Sequence, residues 1–173
     1  MQIHLMIGVP GSGKSTAIQT TKEKNSIIIS RDTVRKTILL ENQCNEYFKY
    51  ENLVFAEFVR AINDAIKSNE YEHIYIDATH ISPSSRTKIL SRLRTPENIT
   101  LNLEVIKCSL SKCLERNAKR TGFERVPDSA INNMYNSFSI PAEEEILKWK
   151  NKFKVVILRI IDNEEELNDL SEQ

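Results

Sequence analysis

The chain has 173 residues, 40% of them hydrophobic, with 24 Lys and Arg balancing 24 Asp and Glu. That length suits one hydrophobic core, so a single domain over residues 1–173 is expected, and the apolar content excludes a disordered chain. Zero net charge excludes the strongly basic surface of a non-specific nucleic-acid binder, and no apolar run approaches the roughly 20 residues that span a bilayer, so a cytoplasmic protein without a membrane partner is expected.

Taken in chain order, a β-branched run over Ile3–Ile7 predicts the first strand. It leads into Gly8-Val9-Pro10-Gly11-Ser12-Gly13-Lys14-Ser15-Thr16, which fits G-x-x-x-x-G-K-[ST] between strand and helix. Glycines in such a loop let successive N–H groups turn toward phosphate oxygens, and the helix that follows adds its positive end. Gly11, Ser12, Gly13, Lys14, Ser15 and Thr16 are therefore expected to bind ATP. Lys14 would lie along the β- and γ-phosphates, Ser15 on Mg2+ and Thr16 on the α-phosphate. The bland alternative, a Gly-rich turn that merely joins strand and helix, leaves the full pattern unexplained.

A second strand at Ile27–Ile29 runs into Ser30-Arg31-Asp32-Thr33-Val34-Arg35, which places Asp32 and Arg35 on one face of a new helix. At the carboxyl edge of a parallel sheet Asp32 could accept a proton from an attacking hydroxyl, and Arg35 could hold an acceptor phosphate. Equally, Asp32 could cap the helix and Arg35 could be solvated. Phe55, Phe58, Val59, Ile62 and Ile66 give helical spacing over Tyr47–Ile66.

The third strand, Ile74–Ile76, ends in Asp77-Ala78-Thr79-His80. Asp77 would sit near the magnesium waters and brace Arg35, or else begin a turn; His80 reads as a packed or surface histidine. Arg86, Lys88, Arg92 and Arg94 follow as a basic group, and Leu101–Ile106 predicts the fourth strand. In Cys113–Thr121, Arg116 and Arg120 lie four apart on one predicted helical face, and Gly122 and Pro127 then break the helix into a lid over about 113–128. That lid would bring both guanidiniums to a transferring phosphoryl group, unless Glu115 and Lys119 mark an ordinary solvated helix. Val155–Ile161 predicts the fifth strand, and Glu164–Gln173 a surface helix or frayed tail.

Apolar strands alternating with helices imply a three-layer α/β domain whose parallel sheet is covered on both faces. Cys44, Cys108 and Cys113 have neither disulfide nor ligand spacing and read as reduced thiols.

The P-loop, Arg31-Asp32-x-x-Arg35, Asp77-Ala78-Thr79, Arg116-Asn117-Ala118-Lys119-Arg120, and Val126-Pro127 followed by Asn133-Met134-Tyr135 together resemble the kinase domain of polynucleotide 5′-hydroxyl kinases, those of bacteriophages in particular. The resemblance spans most of the chain. It implies an adenylate-kinase-like P-loop fold with a five-stranded parallel sheet, with Asp32 as general base, Arg35 on the acceptor phosphate and Arg120 on the donor phosphates. His80 departs from the Asn of related bacterial domains, Thr33 replaces a second acid, and the lid is longer by one residue. No D-x-D-x-T phosphatase motif follows, so no phosphatase domain and no 3′-phosphatase activity is expected.

The leading expectation is ATP-dependent phosphorylation of a 5′-hydroxyl RNA or DNA end, with Lys14, Asp32 and Arg120 catalytic. The clusters Arg86/Lys88/Arg92/Arg94 and Lys112/Arg116/Lys119/Arg120/Arg125 offer a local basic groove for such an end. The alternatives are a kinase of a small hydroxyl metabolite, nucleoside or nucleotide sugar, as in zeta-toxin-like kinases, and a slow ATP-binding switch.

Overall fold

The structure is a computed structural model that describes residues 1–163; the tail expected over Glu164–Gln173 lies outside them. Five strands form one parallel sheet: β1 (Gln2–Ile7), β2 (Ser26–Ser30), β3 (His73–Asp77), β4 (Thr100–Lys107) and β5 (Val155–Asp162), in the order β2-β3-β1-β4-β5. All five expected strands are present, each one or two residues longer than the apolar run that marks it. Among the described residues seven α-helices lie between them: α1 (Lys14–Thr21), α2 (Arg31–Glu41), α3 (Glu51–Ser68), α4 (Pro83–Leu90), α5 (Leu110–Ala118), α6 (Asp128–Asn136) and α7 (Glu143–Trp149). This is the adenylate-kinase-like α/β sandwich.

One face of the sheet carries the main core. Ile3, Leu5 and Ile7 of β1, Ile74 and Ile76 of β3, and Leu101, Leu103 and Val105 of β4 pack on Phe58 and Ile62 of α3, Ile89 and Leu90 of α4, and Trp149 of α7. The alternate residues face the other way and are more polar than a sheet buried on both faces requires. There α1 packs Ala17 and Ile18 on Met6, Tyr75 and Ile106. Beside that patch His4 meets Glu104 at 3.0 Å, and Arg159 donates to the same carboxylate at 3.1 Å. The sheet is covered on both faces as expected, and the α1 face is the more polar of the two.

Two helix bounds also differ from expectation. α3 begins at Glu51 instead of Tyr47, whose ring lies under the Arg35 guanidinium and packs on the cluster of Val9, Ile81 and Val126 instead of the main core beside α3. α5 ends at Ala118 instead of Thr121, and Gly122–Glu124 forms a short 3-10 turn.

Because the connection from β3 crosses over β1 to reach β4, the carboxyl ends of β1 and β3 open side by side into a crevice. The Gly8 N–H donates to the Thr79 carbonyl at 2.9 Å, fixing the phosphate loop against the end of β3.

Candidate active site

Residues 8–13 bridge β1 and α1 with Gly11 and Gly13 in the left-handed region, at φ 84° and 101°. A Cβ on Gly11 would lie 2.5 Å from the Cys113 carbonyl oxygen, so the close approach of α5 to the loop requires glycine there. The N-terminal end of α1 has no side-chain cap, which leaves its first N–H groups directed at the crevice. The Ser12 hydroxyl is buried without a hydrogen-bond partner.

Lys14 is buried and folds back over the loop, donating to the Gly8 and Val9 carbonyls at 2.9 Å each. Burial pulls its pKa down, against the opposing attraction of Asp77 and Asp32. Asp77, ending β3, accepts the Ser15 hydroxyl at 3.1 Å, and burial pushes its pKa up against the pull of Lys14 and Ser15. Each charge is therefore under-compensated as it stands, and a phosphate with a cation between them would relieve both. A hydroxyl backed by a carboxylate is a hard-oxygen donor set, and with the helix end and Lys14 it fits ATP with Mg2+.

The opposite wall comes from α2 and the loop before α3. Ser30 is the N-cap of α2 through its hydroxyl and Thr33 N–H, so the cap does not need Asp32, whose side chain stays 67% exposed. Asp32 accepts from Arg35 Nη1 and, at 3.4 Å, from the Tyr47 hydroxyl. Arg35 is buried; its Nε and Nη2 donate to Glu51 at 2.7 and 3.3 Å, and its guanidinium lies 4.7 Å from the Tyr47 ring centre. Burial opposes the charge on Arg35, but the Glu51 hydrogen bond together with the charge interactions of Tyr47, Glu51 and Asp32 outweighs it and raises the pKa above the usual arginine value. Tyr47 is pushed up to about 12 by burial and by Asp32, so its phenol stays protonated and donates. The brace expected of Asp77 is supplied by Glu51, which also takes Arg31 at 2.7 Å, while Asp77 belongs to the phosphate side.

Arg116 donates to the Gly11 carbonyl at 3.1 Å. Arg120 sits two residues beyond α5, so the two arginines do not share one continuous helical face, yet both line the crevice. The Arg120 N–H donates to the Asn117 carbonyl at 3.0 Å, while among the described residues its guanidinium makes no hydrogen bond or ion pair. The loop that carries it is closed at its base by buried Asn117, which pairs with both the N–H and the carbonyl of Val126, at 3.1 and 2.7 Å.

These walls enclose one cavity of about 330 Å³, lined by Gly11, Gly13, Lys14, Ser15, Thr16, Asp32, Arg35, Asp77, Arg116 and Arg120. Every expected site residue lines it except Ser12, which is buried inside the loop. The sequence reading missed Tyr47, Phe48 and Glu51 on the acceptor wall, and Asn163, whose amide donates to the Ser12 carbonyl at 2.6 Å. His80 is packed: its Nδ1 donates to the Met6 carbonyl at 2.9 Å, away from the cavity.

A parallel sheet with this phosphate cradle at its switch point defines the class of P-loop kinase-like domains. The chain belongs to the AAA domain family AAA_33, which matches residues 3–141. No curated protein matches it by sequence. Its fold is similar to that of an unliganded sugar kinase from Janibacter sp. (14% identity, TM-score 0.58, covering 98% of this chain and 91% of that one). A chain of the Pnkp1/Rnl/Hen1 RNA repair complex is similar over 88% of this chain and 46% of its own length, at 21% identity and TM-score 0.59. A candidate kinase from Chloroflexus aurantiacus is similar at 11% identity and TM-score 0.65, over 93% and 84% of the two chains. No helix among the described residues is long and apolar enough to cross a membrane.

Proposed function

We propose that the chain transfers the γ-phosphate of ATP to the 5′-hydroxyl end of an RNA or DNA strand. The observation that carries this reading is the exposed Asp32 carboxylate, held by Arg35 and Tyr47, across one cavity from Lys14 and the Ser15–Asp77 pair. Asp32 takes the proton of the acceptor hydroxyl; the acceptor oxygen bonds to the γ-phosphorus as the bond to the β–γ bridging oxygen breaks, releasing ADP. Lys14 and Arg120 offset the charge that grows on the phosphoryl oxygens, and Arg116 steadies the loop through Gly11. Ser15, with Asp77 behind it, would hold Mg2+, which would supply further charge neutralisation.

A second reading, phosphorylation of a small hydroxyl compound, is favoured by one observation. Arg35 is already engaged by Glu51, Asp32 and Tyr47, so an acceptor phosphate would have to compete for it.

The test is incubation with γ-labelled ATP, Mg2+ and 5′-hydroxyl RNA or DNA oligonucleotides, beside Lys14→Ala and Asp32→Ala. Label at the 5′ end that both variants lose supports the proposal. ATP binding without transfer to any strand overturns it, and label on a sugar or nucleoside establishes the second reading.

A further inference from the structure

The basic group that follows β3 does not act as one cluster. Arg86 is fully buried, with its Nε and Nη2 on Glu145 at 2.7 Å each, and is closed to any ligand. Lys88 and Arg92 instead converge on the half-buried ring of Phe55 in α3, with Lys88 Nζ at 4.4 Å and Arg92 Cζ at 5.3 Å from its centre. Arg31, from the start of α2, reaches the same ring at 5.8 Å. Asn63 holds this arrangement in place, since its side chain accepts the Arg94 N–H at 2.7 Å and donates to the Arg92 carbonyl at 3.1 Å.

Three cations around one ring repel one another, and the ring face offsets only part of that cost. The acids nearby are committed elsewhere: Glu57 and Asp64 to Arg60, and Glu51 to Arg31 and Arg35. Among the described residues the exposed Lys88, Arg92 and Arg94 have no ion pair, in a chain whose formal charges balance. These three cations therefore lack anionic partners, while Arg31 has Glu51. Lys88 and Arg92 do not line the cavity, whereas Arg31 lines it and touches the patch, so the two regions are continuous.

We infer that Phe55, Arg31, Lys88 and Arg92 form a docking surface for the sugar–phosphate backbone of a nucleic-acid strand whose 5′ end occupies the cavity. The inference rests on the function proposed above. A single nucleotide filling the cavity leaves Lys88 and Arg92 without a partner, whereas a strand supplies further phosphates in series.

The test compares the wild-type protein with the Lys88→Ala/Arg92→Ala double variant, whose unpaired exposed side chains make the fold insensitive to the change; a thermal melt verifies this. Fluorescence anisotropy measures binding of a labelled 5′-hydroxyl strand of about a dozen nucleotides across a salt series, without turnover. The variant is expected to bind at least about tenfold more weakly, with a salt slope shallower by about 0.7 for each phosphate it no longer neutralises. In turnover, the kcat/KM ratio of strand to nucleoside 3′-phosphate is expected to fall about tenfold. Unchanged binding and an unchanged ratio overturn the docking surface while leaving the kinase reading standing. Weakened binding by a variant of a protein that phosphorylates no strand upholds the surface and sinks the kinase reading. Polyglutamate that competes as well as the strand, at equal charge concentration, overturns the assignment to nucleic acid.

Discussion

Asp32 stands three residues before Arg35 on α2, and Ser30 relieves it of capping. Asp32→Asn keeps the shape and removes the basicity, so it is expected to lower single-turnover phosphoryl transfer by about 10²–10⁴ while ATP affinity and unfolding midpoint stay near wild type. A variant that loses ATP binding or stability in proportion would return Asp32 to a structural role. His80 makes the opposite case, a histidine whose importance is to the fold. Its φ of 43° is left-handed, its ring is buried, and burial lowers its pKa from 6.5 to about 4. As the pH falls below 6.5 the unfolded chain takes up a proton that the folded chain refuses, so stability present at neutral pH is lost between 6.5 and about 4. At pH 5 this amounts to about 2 kcal/mol. His80→Asn tolerates the left-handed backbone and can still donate to Met6, so urea midpoints at pH 7 and pH 5 should lie closer together than in the wild type; an equal separation rules out His80 as the cause.

The element carrying Arg120 is held from its base. Asn117, the penultimate residue of α5, satisfies both backbone groups of Val126 and also donates to Asp128 at 2.9 Å, closing residues 118–125 into a loop over the crevice. Asn117→Ala leaves two buried backbone groups unpaired and is expected to cost about 2–4 kcal/mol. It should also raise the KM for ATP and speed tryptic cleavage at Arg120 and Arg125; protease resistance equal to wild type would show that the clamp does not govern the loop. Nothing local announced Asn117, because its partners lie nine and eleven residues away across a turn. The same limit explains the helix bounds. Tyr47 falls on the apolar spacing of α3 but its ring serves Arg35, and Arg120 continues the spacing of α5 after the helix has stopped. Periodicity records which residues are apolar or charged, while the site decides which way they turn.

At the scale of the molecule, the strands were legible because β-branched runs bounded by polar turns leave few other readings, and the phosphate loop because its spacing is itself the structure. The unequal faces were also written in the sequence: Leu101, Leu103 and Val105 alternate with Asn102 and Glu104 along β4. What no local pattern contains are the pairs that join distant segments, such as Glu51 with Arg31, Asn163 with Ser12, and Arg86 with Glu145. The last pair ties α4 to α7, and Arg86 also donates to the His80 and Ser139 carbonyls at 3.1 and 3.0 Å, linking the end of β3 to the loop before α7. Glu145→Gln strands a fully buried guanidinium and is expected to cost about 3–5 kcal/mol in urea unfolding. If the pair mattered only as a pair, Arg86→Met/Glu145→Leu would restore most of that loss. Because the double variant also leaves two carbonyls without a donor, it should remain at least about 2 kcal/mol below wild type. Full recovery would mean that the ion pair alone, and not the carbonyl bridge, holds α7 and the 139 loop against the end of β3.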